Sequence, residues 1–364
     1  MFEYLVTKEI RSLKPYPPGK PIEEVERELG LTGVIKMASN ENCLGPSPKA
    51  AAAVAKAIPN LHRYPDARGY LLKQALSVYL GLGMGNIVLG NGSDEIIELT
   101  VRSFLRPGQK VITSDPTFLF YSIVAQGAGG QLIRIPLKNL KHNLAGINSA
   151  IDQDTRLIFL DTPNNPSGSM IPADDIRAFV KDLPRTVVLI LDEAYRDFVR
   201  GEELIDPEEF FQSDHPIIFL RTFSKAYGLA GLRIGYGLGH SELISYFDRV
   251  RQPFDINSLA QVGAIAALGD TDFYKQTINS TWAGLDFLWD ELDRLKIRYH
   301  RSQTNYFLID LDRPADEVMN MLMKKGIIVR SMASYGMDKT IRITVGLPEE
   351  NQRFITSFKK VLNK

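Results

Sequence analysis

The segment from Ile217 to Gly239, IIFLRTFSKAYGLAGLRIGYGLG, places one lysine shortly after an apolar strand. Residues 217–220 form a continuous run of β-forming residues, which is typical of a strand buried on both faces of a parallel sheet. Lys225 therefore falls just beyond the carboxyl end of that strand, where open α/β sheets bind their ligands. The small residues after it leave room for a bulky planar group close to the backbone.

The same segment contains two groups that one cofactor requires. Lys225 can form a Schiff base with an aldehyde, and Arg233, eight residues later, can bind a phosphate through forked hydrogen bonds. Together these groups are suited to hold pyridoxal phosphate. A lone lysine in a glycine-rich loop is more often an exposed surface residue, so the interpretation depends on the rest of the chain.

From residue 86 onward the sequence alternates between apolar strand segments and helical segments. This alternation predicts an α/β fold in which helices cover a mainly parallel, seven-stranded sheet. Several of the strands end in polar residues, which would then meet at one edge. The predicted strands are 86–89, 110–114, 131–135, 156–160, 186–191, 217–223 and 232–238.

The sequence predicts three parts. Residues 1–35 are rich in proline and are expected to form an extended arm, followed by a large domain over residues 36–255. Residues 256–364 are expected to form a smaller α+β domain. It would contain a long helix from near Asp270, whose apolar residues recur every three or four positions. The strands predicted in this part are 305–311, 327–330 and 340–345.

Composition limits the functional classes. The chain has 364 residues, and 43 Lys and Arg balance 43 Asp and Glu, so no bulk positive field favours nucleic acid or an anionic membrane. No apolar run approaches the roughly 18 residues of a spanning helix, and the N-terminus lacks a signal-peptide core. Cys43 is the single cysteine, which excludes an internal disulfide. We expect a cytoplasmic protein that acts on small molecules and needs no metal.

Four positions near predicted strand ends could complete a cofactor site. Ser93 opens a helix after the turn at Gly92, and the free amides of that helix could bind a phosphate. Asp192 ends an apolar run and could pair with a protonated pyridine nitrogen. Tyr195, one turn later, and Asn165, in a turn after another strand, could reach the ring oxygen of the same group.

Three further residues suit a planar, anionic ligand. Phe118 offers an aromatic face, and Arg330 and Arg342 each lie in a predicted strand and match carboxylate or phosphate. Each also has an ordinary structural explanation, because most phenylalanines pack in cores and strand arginines often pair with a structural carboxylate. The residues alone leave both alternatives open.

Six short motifs, in order along nearly the whole chain, resemble those of the histidinol-phosphate aminotransferase family. They are RYPD, GNGSDE, PNNPSG, LDEAY, RTFSKAYGLAGLRIGYG and IRITVG. The members of this family are fold-type-I pyridoxal-phosphate enzymes. The resemblance implies amino transfer between L-histidinol phosphate and 2-oxoglutarate in histidine biosynthesis, by a homodimer. Aromatic amino-acid aminotransferases and threonine-phosphate decarboxylases are similar and remain alternatives.

The resemblance also implies roles. Lys225 would carry the cofactor and move the proton, Asp192 would pair with the pyridinium, and Tyr64 would reach the cofactor of the neighbouring subunit. The other implied cofactor residues are Gly92, Ser93, Asp94, Phe118, Asn165, Tyr195, Ser224 and Arg233, and the implied substrate residues are Tyr16, Asn42, Arg330 and Arg342.

The sequence departs from the family pattern at Cys43, Phe118 and Asp255, where proline, tyrosine and asparagine are more usual. Two other functional classes fit poorly. A regulator built on this fold usually carries an added DNA-binding domain, for which the arm leaves no room. A dinucleotide-binding oxidoreductase needs GxGxxG, which neither GNGSDE nor GYGLGH completes.

Overall fold

The computed structural model describes residues 2–363 and contains two main sheets with helices packed around them. The strands are β1 (Ile35–Lys36), β2 (Ile87–Gly90), β3 (Lys110–Asp115), β4 (Gln131–Pro136), β5 (Thr155–Asp161), β6 (Val188–Asp192), β7 (Ile217–Thr222), β8 (Gly235–Gly239), β9 (Tyr299–His300), β10 (Tyr306–Asp310), β11 (Ile327–Ile328), β12 (Arg330–Ser331) and β13 (Thr340–Thr344).

The helices cover both sheets and connect their strands. They are α1 (Lys8–Arg11), α2 (Ile22–Leu29), α3 (Pro48–Ala57), α4 (Tyr70–Leu80), α5 (Ser93–Phe104), α6 (Leu119–Gly127), α7 (Leu144–Ala150), α8 (Ala173–Lys181), α9 (Glu208–Phe211), α10 (Ser241–Ser245), α11 (Ser258–Leu268), α12 (Thr271–Arg294), α13 (Ala315–Met323) and α14 (Pro348–Leu362). No helix within residues 2–363 is long and apolar enough to cross a membrane.

The larger sheet has the order β2-β8-β7-β6-β5-β3-β4, and only β8 is antiparallel to its neighbours. The predicted mainly parallel, seven-stranded sheet is therefore confirmed. Its last strand begins at Gly235 rather than at the predicted residue 232. Residues 230–232 form a short 3-10 turn, and Arg233 has a φ of 55°, which a strand cannot accommodate.

Strand β7 shows why the apolar run folds as it does. All six of its residues are buried, and alternate side chains enter different cores. Ile217 and Phe219 pack on one face of the sheet, and Ile218 and Leu220 pack on the other. Because both faces are covered by helices, a continuous apolar run is more favourable here than an alternating one.

The smaller sheet is antiparallel, in the order β12-β13-β10-β9, and it shares a core with α12, α13 and α14. The predicted strand at 327–330 is divided. Its first half, β11, pairs in parallel with β1, whereas β12 pairs with β13. The early segment at β1 is thus joined to the C-terminal part of the chain. The domain boundary near residue 255 stays a prediction.

Candidate active site

A cavity of 580 Å³ opens at the carboxyl ends of the strands of the larger sheet and extends to the smaller sheet. Strands β5 and β6 end in register, with Asp161 opposite Asp192, and β7 ends three residues before Lys225. Most of the predicted site residues line this one cavity: Tyr16, Ser93, Asp94, Phe118, Asn165, Asp192, Tyr195, Ser224, Lys225, Arg233, Arg330 and Arg342.

Lys225 is held in a position of low solvent exposure. Its Nζ donates to the carbonyl oxygen of Ser39 at 3.5 Å and lies 5.6 Å from the centre of the Tyr195 ring. Burial, and then the positive charge of Arg342, lower the pKa of Lys225 to about 8. At neutral pH a larger fraction of this amine is therefore uncharged, and nucleophilic, than for an exposed lysine.

Asp192 is buried at the end of β6 and accepts two hydrogen bonds. Tyr121 donates its hydroxyl to Oδ2 at 2.7 Å, and the amide of Ala194 donates to Oδ1 at 3.0 Å. Burial raises the pKa of Asp192 to about 7, and the nearby carboxylates of Asp161 and Asp94 act in the same direction. A cationic group placed in the cavity against Asp192 would favour its ionised form.

Asn165 and Tyr195 face the cavity from two different loops. Asn165 Oδ1 accepts from Nη1 of Arg342 at 2.6 Å. The Tyr195 hydroxyl accepts from Nδ2 of Asn40 at 2.8 Å, and burial raises its pKa to about 12. The predicted helical turn between Asp192 and Tyr195 is absent. A non-helical turn joins them, followed by a 3-10 turn over residues 196–198, and it still directs both side chains into the cavity.

The N-terminus of α5 and the guanidinium of Arg233 lie side by side in the cavity wall. Gly92 precedes this helix with a φ of 78°, and a Cβ atom added to it would lie 2.5 Å from Nη2 of Arg233. The guanidinium is therefore packed directly against the turn that presents the free amides of α5. Its Nη2 also donates to Asp94 at 3.2 Å, so a phosphate bound here would share Arg233 with that carboxylate.

The outer part of the cavity contains two arginines and the N-terminal arm. Arg330 on β12 and Arg342 on β13 are direct partners in the antiparallel register. Nη2 of Arg330 donates to the carbonyl oxygen of Pro17 at 2.9 Å, which ties the arm to the smaller sheet. Tyr16 in that arm meets the ring of Phe118 edge to face at 6.3 Å.

Three predicted residues do not line the cavity. Gly92 lies behind Ser93, and Nδ2 of Asn42 donates to Ala226 and Thr277 instead. Tyr64 is 82% exposed and stacks on Phe254 at 4.7 Å, away from the cavity of its own chain.

Two residues that depart from the family pattern, Asp255 and Cys43, also lie outside the cavity. Asp255 forms a buried ion pair with Arg251, so its carboxylate is occupied outside the cavity. Burial raises the pKa of the Cys43 thiol to about 11, which is not the environment of a reactive thiolate.

Sequence reasoning missed several cavity residues. Asn40 bonds to Tyr195, Tyr121 bonds to Asp192, and Asp161 accepts from the backbone amide of Asn165 at 2.7 Å. Asn40 lies in the same polar turn as Asn42, and Asp161 ends a predicted strand as Asp192 does. The position of a polar residue at a strand end was therefore a usable signal for Asp161.

The small residues after Lys225 also allow close packing of the backbone. Gly228 has a φ of 68°, and a Cβ atom there would lie 2.1 Å from the carbonyl oxygen of Gly45. Close backbone packing between these two segments therefore requires glycine at position 228. Ala230 does line the cavity, as expected for a residue that leaves space for a ligand.

Comparison with known proteins gives consistent matches over the whole chain. Residues 32–358 match the family described as aminotransferase class I and II. The histidinol-phosphate aminotransferase of Desulfotalea psychrophila is 46% identical over 362 residues, which are 99% of this chain and 96% of the relative. That of Moorella thermoacetica is 42% identical, with 97% and 92% covered. The crystal structure of histidinol-phosphate aminotransferase from Sinorhizobium meliloti in complex with pyridoxal-5'-phosphate is 30% identical, with a TM-score of 0.90 and 98% and 97% covered.

Proposed function

The chain belongs to the class I and II aminotransferase family, and we propose that it transfers the amino group of L-histidinol phosphate to 2-oxoglutarate. The products are imidazole acetol phosphate and L-glutamate. The observation that carries the proposal is the convergence of Lys225 and Asp192 with the paired arginines Arg330 and Arg342 in one cavity. The names of the relatives support the same substrate.

The residues of the cavity fit pyridoxal phosphate. Asp192 is a buried carboxylate whose own surroundings disfavour its charge, so it suits a cationic ring nitrogen. The turn at Gly92 leaves no space for a side chain between α5 and Arg233, which suits a phosphate at that helix terminus. When bound, the cofactor supplies an electron-withdrawing ring that stabilises negative charge at the reacting carbon of the substrate.

The residues of the cavity would have different roles in the reaction. Lys225 would hold the cofactor covalently through Nζ. Once the amino group of the substrate has displaced it, the released neutral amine would take the proton from the α-carbon of the substrate. Asp192 would keep the ring nitrogen protonated, and Asn165 and Tyr195 would bind the ring oxygen. Phe118 would offer an aromatic face to the ring. Ser93, Asp94, Ser224 and Arg233 would bind the phosphate, and Gly92 would shape the turn behind Ser93.

The two arginines provide for two kinds of anion. Arg342 lines the cavity as a buried cation, which suits a carboxylate. Its Nε is buried and has no hydrogen-bond partner within residues 2–363. Arg330, with Tyr16 beside it, is positioned to bind the phosphate of the larger substrate. Asn42 would act only indirectly, because it supports the backbone next to Lys225.

We further propose that the protein is a homodimer in which Tyr64 completes the partner's site. The exposed stack of Tyr64 on Phe254 supports this, as do the exposed side chains of Leu61 and Leu71 nearby in sequence. The three-part division into residues 1–35, 36–255 and 256–364 and the cytoplasmic location stay predictions.

A panel of amino donors with 2-oxoglutarate tests the function. We expect kcat/KM for L-histidinol phosphate to exceed that for phenylalanine or tyrosine by about tenfold or more, or ~1.4 kcal/mol in transition-state binding. A preference for the aromatic amino acids would make the protein an aromatic aminotransferase. Release of carbon dioxide from phosphothreonine without amino transfer would make it a decarboxylase.

A further inference from the structure

Tyr121 is a buried tyrosine of α6 whose hydroxyl is hydrogen-bonded to the carboxylate of Asp192. The side chain is fully buried, and its hydroxyl donates to Oδ2 of Asp192 at 2.7 Å. Its ring stacks on Phe159 of β5 at 4.8 Å with an interplanar angle of 11°. Its ring also meets Phe118 in a T-shaped contact at 5.5 Å. The two aromatic contacts fix the ring, and so they fix the direction in which the hydroxyl points.

We propose that Tyr121 is a positioning residue for the reaction, because its hydroxyl fixes the orientation of the Asp192 carboxylate and favours its ionised form where the ring nitrogen of the cofactor would bind. This inference rests on the proposed function for the identity of the ring. The bond between Tyr121 and Asp192 itself exists without any ligand. With the Ala194 amide on Oδ1 and the phenol on Oδ2, the carboxylate has one orientation and retains lone pairs for a ring N–H.

The charge of Asp192 needs this support because, apart from the Ala194 amide, its surroundings oppose it. Burial and the carboxylates of Asp161 and Asp94 raise the pKa of Asp192, whereas the Tyr121 hydroxyl lowers it. Tyr195 and Lys225 also line the same cavity. Burial and the charge of Asp192 hold the pKa of Tyr121 well above its usual value, so the phenol remains a donor at any working pH. Removal of the hydroxyl should therefore raise the pKa of Asp192 further.

The variant Tyr121→Phe tests this role because it keeps the ring and both aromatic contacts. A matched control is Tyr274→Phe. Tyr274 donates to Oδ1 of Asp197 at 2.9 Å, and Asp197 is a half-buried carboxylate whose pKa is also raised, to about 6. Neither Tyr274 nor Asp197 lines the cavity of the candidate active site. The control thus removes the same kind of hydrogen bond from a site that the cofactor does not touch.

The first measurement needs no cofactor. The free energy of unfolding of each apoprotein is determined between pH 5 and pH 8.5. A carboxyl whose folded pKa lies above its unfolded pKa loses stability as pH rises, because ionisation then favours the unfolded chain. If Tyr121→Phe raises the pKa of Asp192, its stability deficit relative to wild type will be small near pH 5. The deficit will grow through and above pH 7.

The second measurement adds pyridoxal phosphate. Loss of a hydrogen bond to a charged group predicts about a tenfold or greater rise in the dissociation constant of the cofactor for Tyr121→Phe. The pH titration of the absorbance of the bound cofactor should shift. We expect kcat to fall about tenfold while the KM of the amino donor changes less. Tyr274→Phe should leave the dissociation constant, the absorbance titration and kcat at wild-type values.

A double-mutant cycle tests whether Tyr121 affects cofactor binding through Asp192. In the background Asp192→Asn the carboxylate charge is absent, so Tyr121→Phe should change cofactor affinity much less than in the wild type. An equal loss in both backgrounds would overturn the proposal. So would wild-type affinity and titration for Tyr121→Phe, or its failure to fold where Tyr274→Phe folds. A wild-type protein that binds no pyridoxal phosphate would contradict the proposed function, whereas the apoprotein measurement would still test the Tyr121–Asp192 bond.

Discussion

Lys225 and Asp192 show how burial prepares two side chains for different tasks. Removal from water disfavours the charged form of each, so the pKa of Lys225 falls to about 8 and that of Asp192 rises to about 7. For the lysine this increases the fraction of neutral amine, which is the form that can attack a carbonyl carbon or take a proton. For the carboxylate the same effect is a cost, which hydrogen bonds from Tyr121 and Ala194 offset.

The first prediction concerns Lys225→Ala. This protein should form no lysine-linked cofactor adduct after borohydride reduction and should lose about 10²–10⁴ or more in rate, because the proton carrier disappears. Lys73→Ala is the matched control, since burial also lowers the pKa of Lys73 but this residue does not line the cavity. The assignment is wrong if Lys225→Ala keeps both the adduct and wild-type turnover.

At the scale of elements, the sequence predicted most of what builds the site. Parallel strands end at one edge, so residues at or just after the ends of β5, β6 and β7 had to converge, and Asn165, Asp192 and Lys225 do. The direction of side chains within a turn is not determined by residue type. Asn40, with a φ of 55°, enters the cavity whereas Asn42 supports Ala226, and residue identity alone does not distinguish the two.

Contacts between segments that are far apart in sequence also could not be predicted from the sequence. Tyr121 and Asp192 are 71 residues apart in sequence, and Asn40 and Tyr195 are 155 apart. Each pair depends on how α6 or the turn after β1 packs on the sheet. Likewise, the division of the segment at 327–330 between two sheets depends on which edges are free in the folded chain.

The turn before α5 gives the second prediction. In Gly92→Ala the added methyl would lie 2.5 Å from Arg233 and would also strain a residue with a φ of 78°. We expect the guanidinium to be displaced and the affinity for pyridoxal phosphate to fall about tenfold or more, as for loss of a charge-assisted contact. Gly201→Ala controls for backbone strain alone, because its φ is 76° and nothing lies within 4 Å. Equal cofactor affinities in the two variants would contradict this explanation.

The third prediction concerns the pair of strands β12 and β13. Arg330→Ala should reduce kcat/KM for L-histidinol phosphate by roughly 30-fold, since loss of one partner of a desolvated charge pair costs ~2–5 kcal/mol. Glutamate should be affected less if Arg342 binds its α-carboxylate. Arg298→Ala is the control, because Arg298 pairs with Asp310 near the same sheet but is largely exposed. Equal losses for both substrates would show that Arg330 does not select the phosphate.

At the scale of the whole molecule, the cavity depends on contacts that join the two sheets. Arg342 of β13 binds Asn165 of the loop after β5, and Asn40 binds both Tyr195 and Thr344. The smaller sheet therefore sets the position of two side chains that belong to the larger one. Tyr64 lies outside the cavity of its own chain and stacks on Phe254, so the proposed contact of Tyr64 with the cofactor requires a second copy.

Mixed dimers test that role. If Tyr64 acts across the dimer, a Tyr64→Phe chain paired with a Lys225→Ala chain contains one site with both an intact lysine and an intact tyrosine. The other site of the same dimer carries both defects. Activity after subunit exchange should therefore exceed the mean of the two parent variants, measured against wild type exchanged with Lys225→Ala. Activity that stays at the mean of the parents would place Tyr64 outside the partner's site, and its stack on Phe254 would then be a contact of the surface alone.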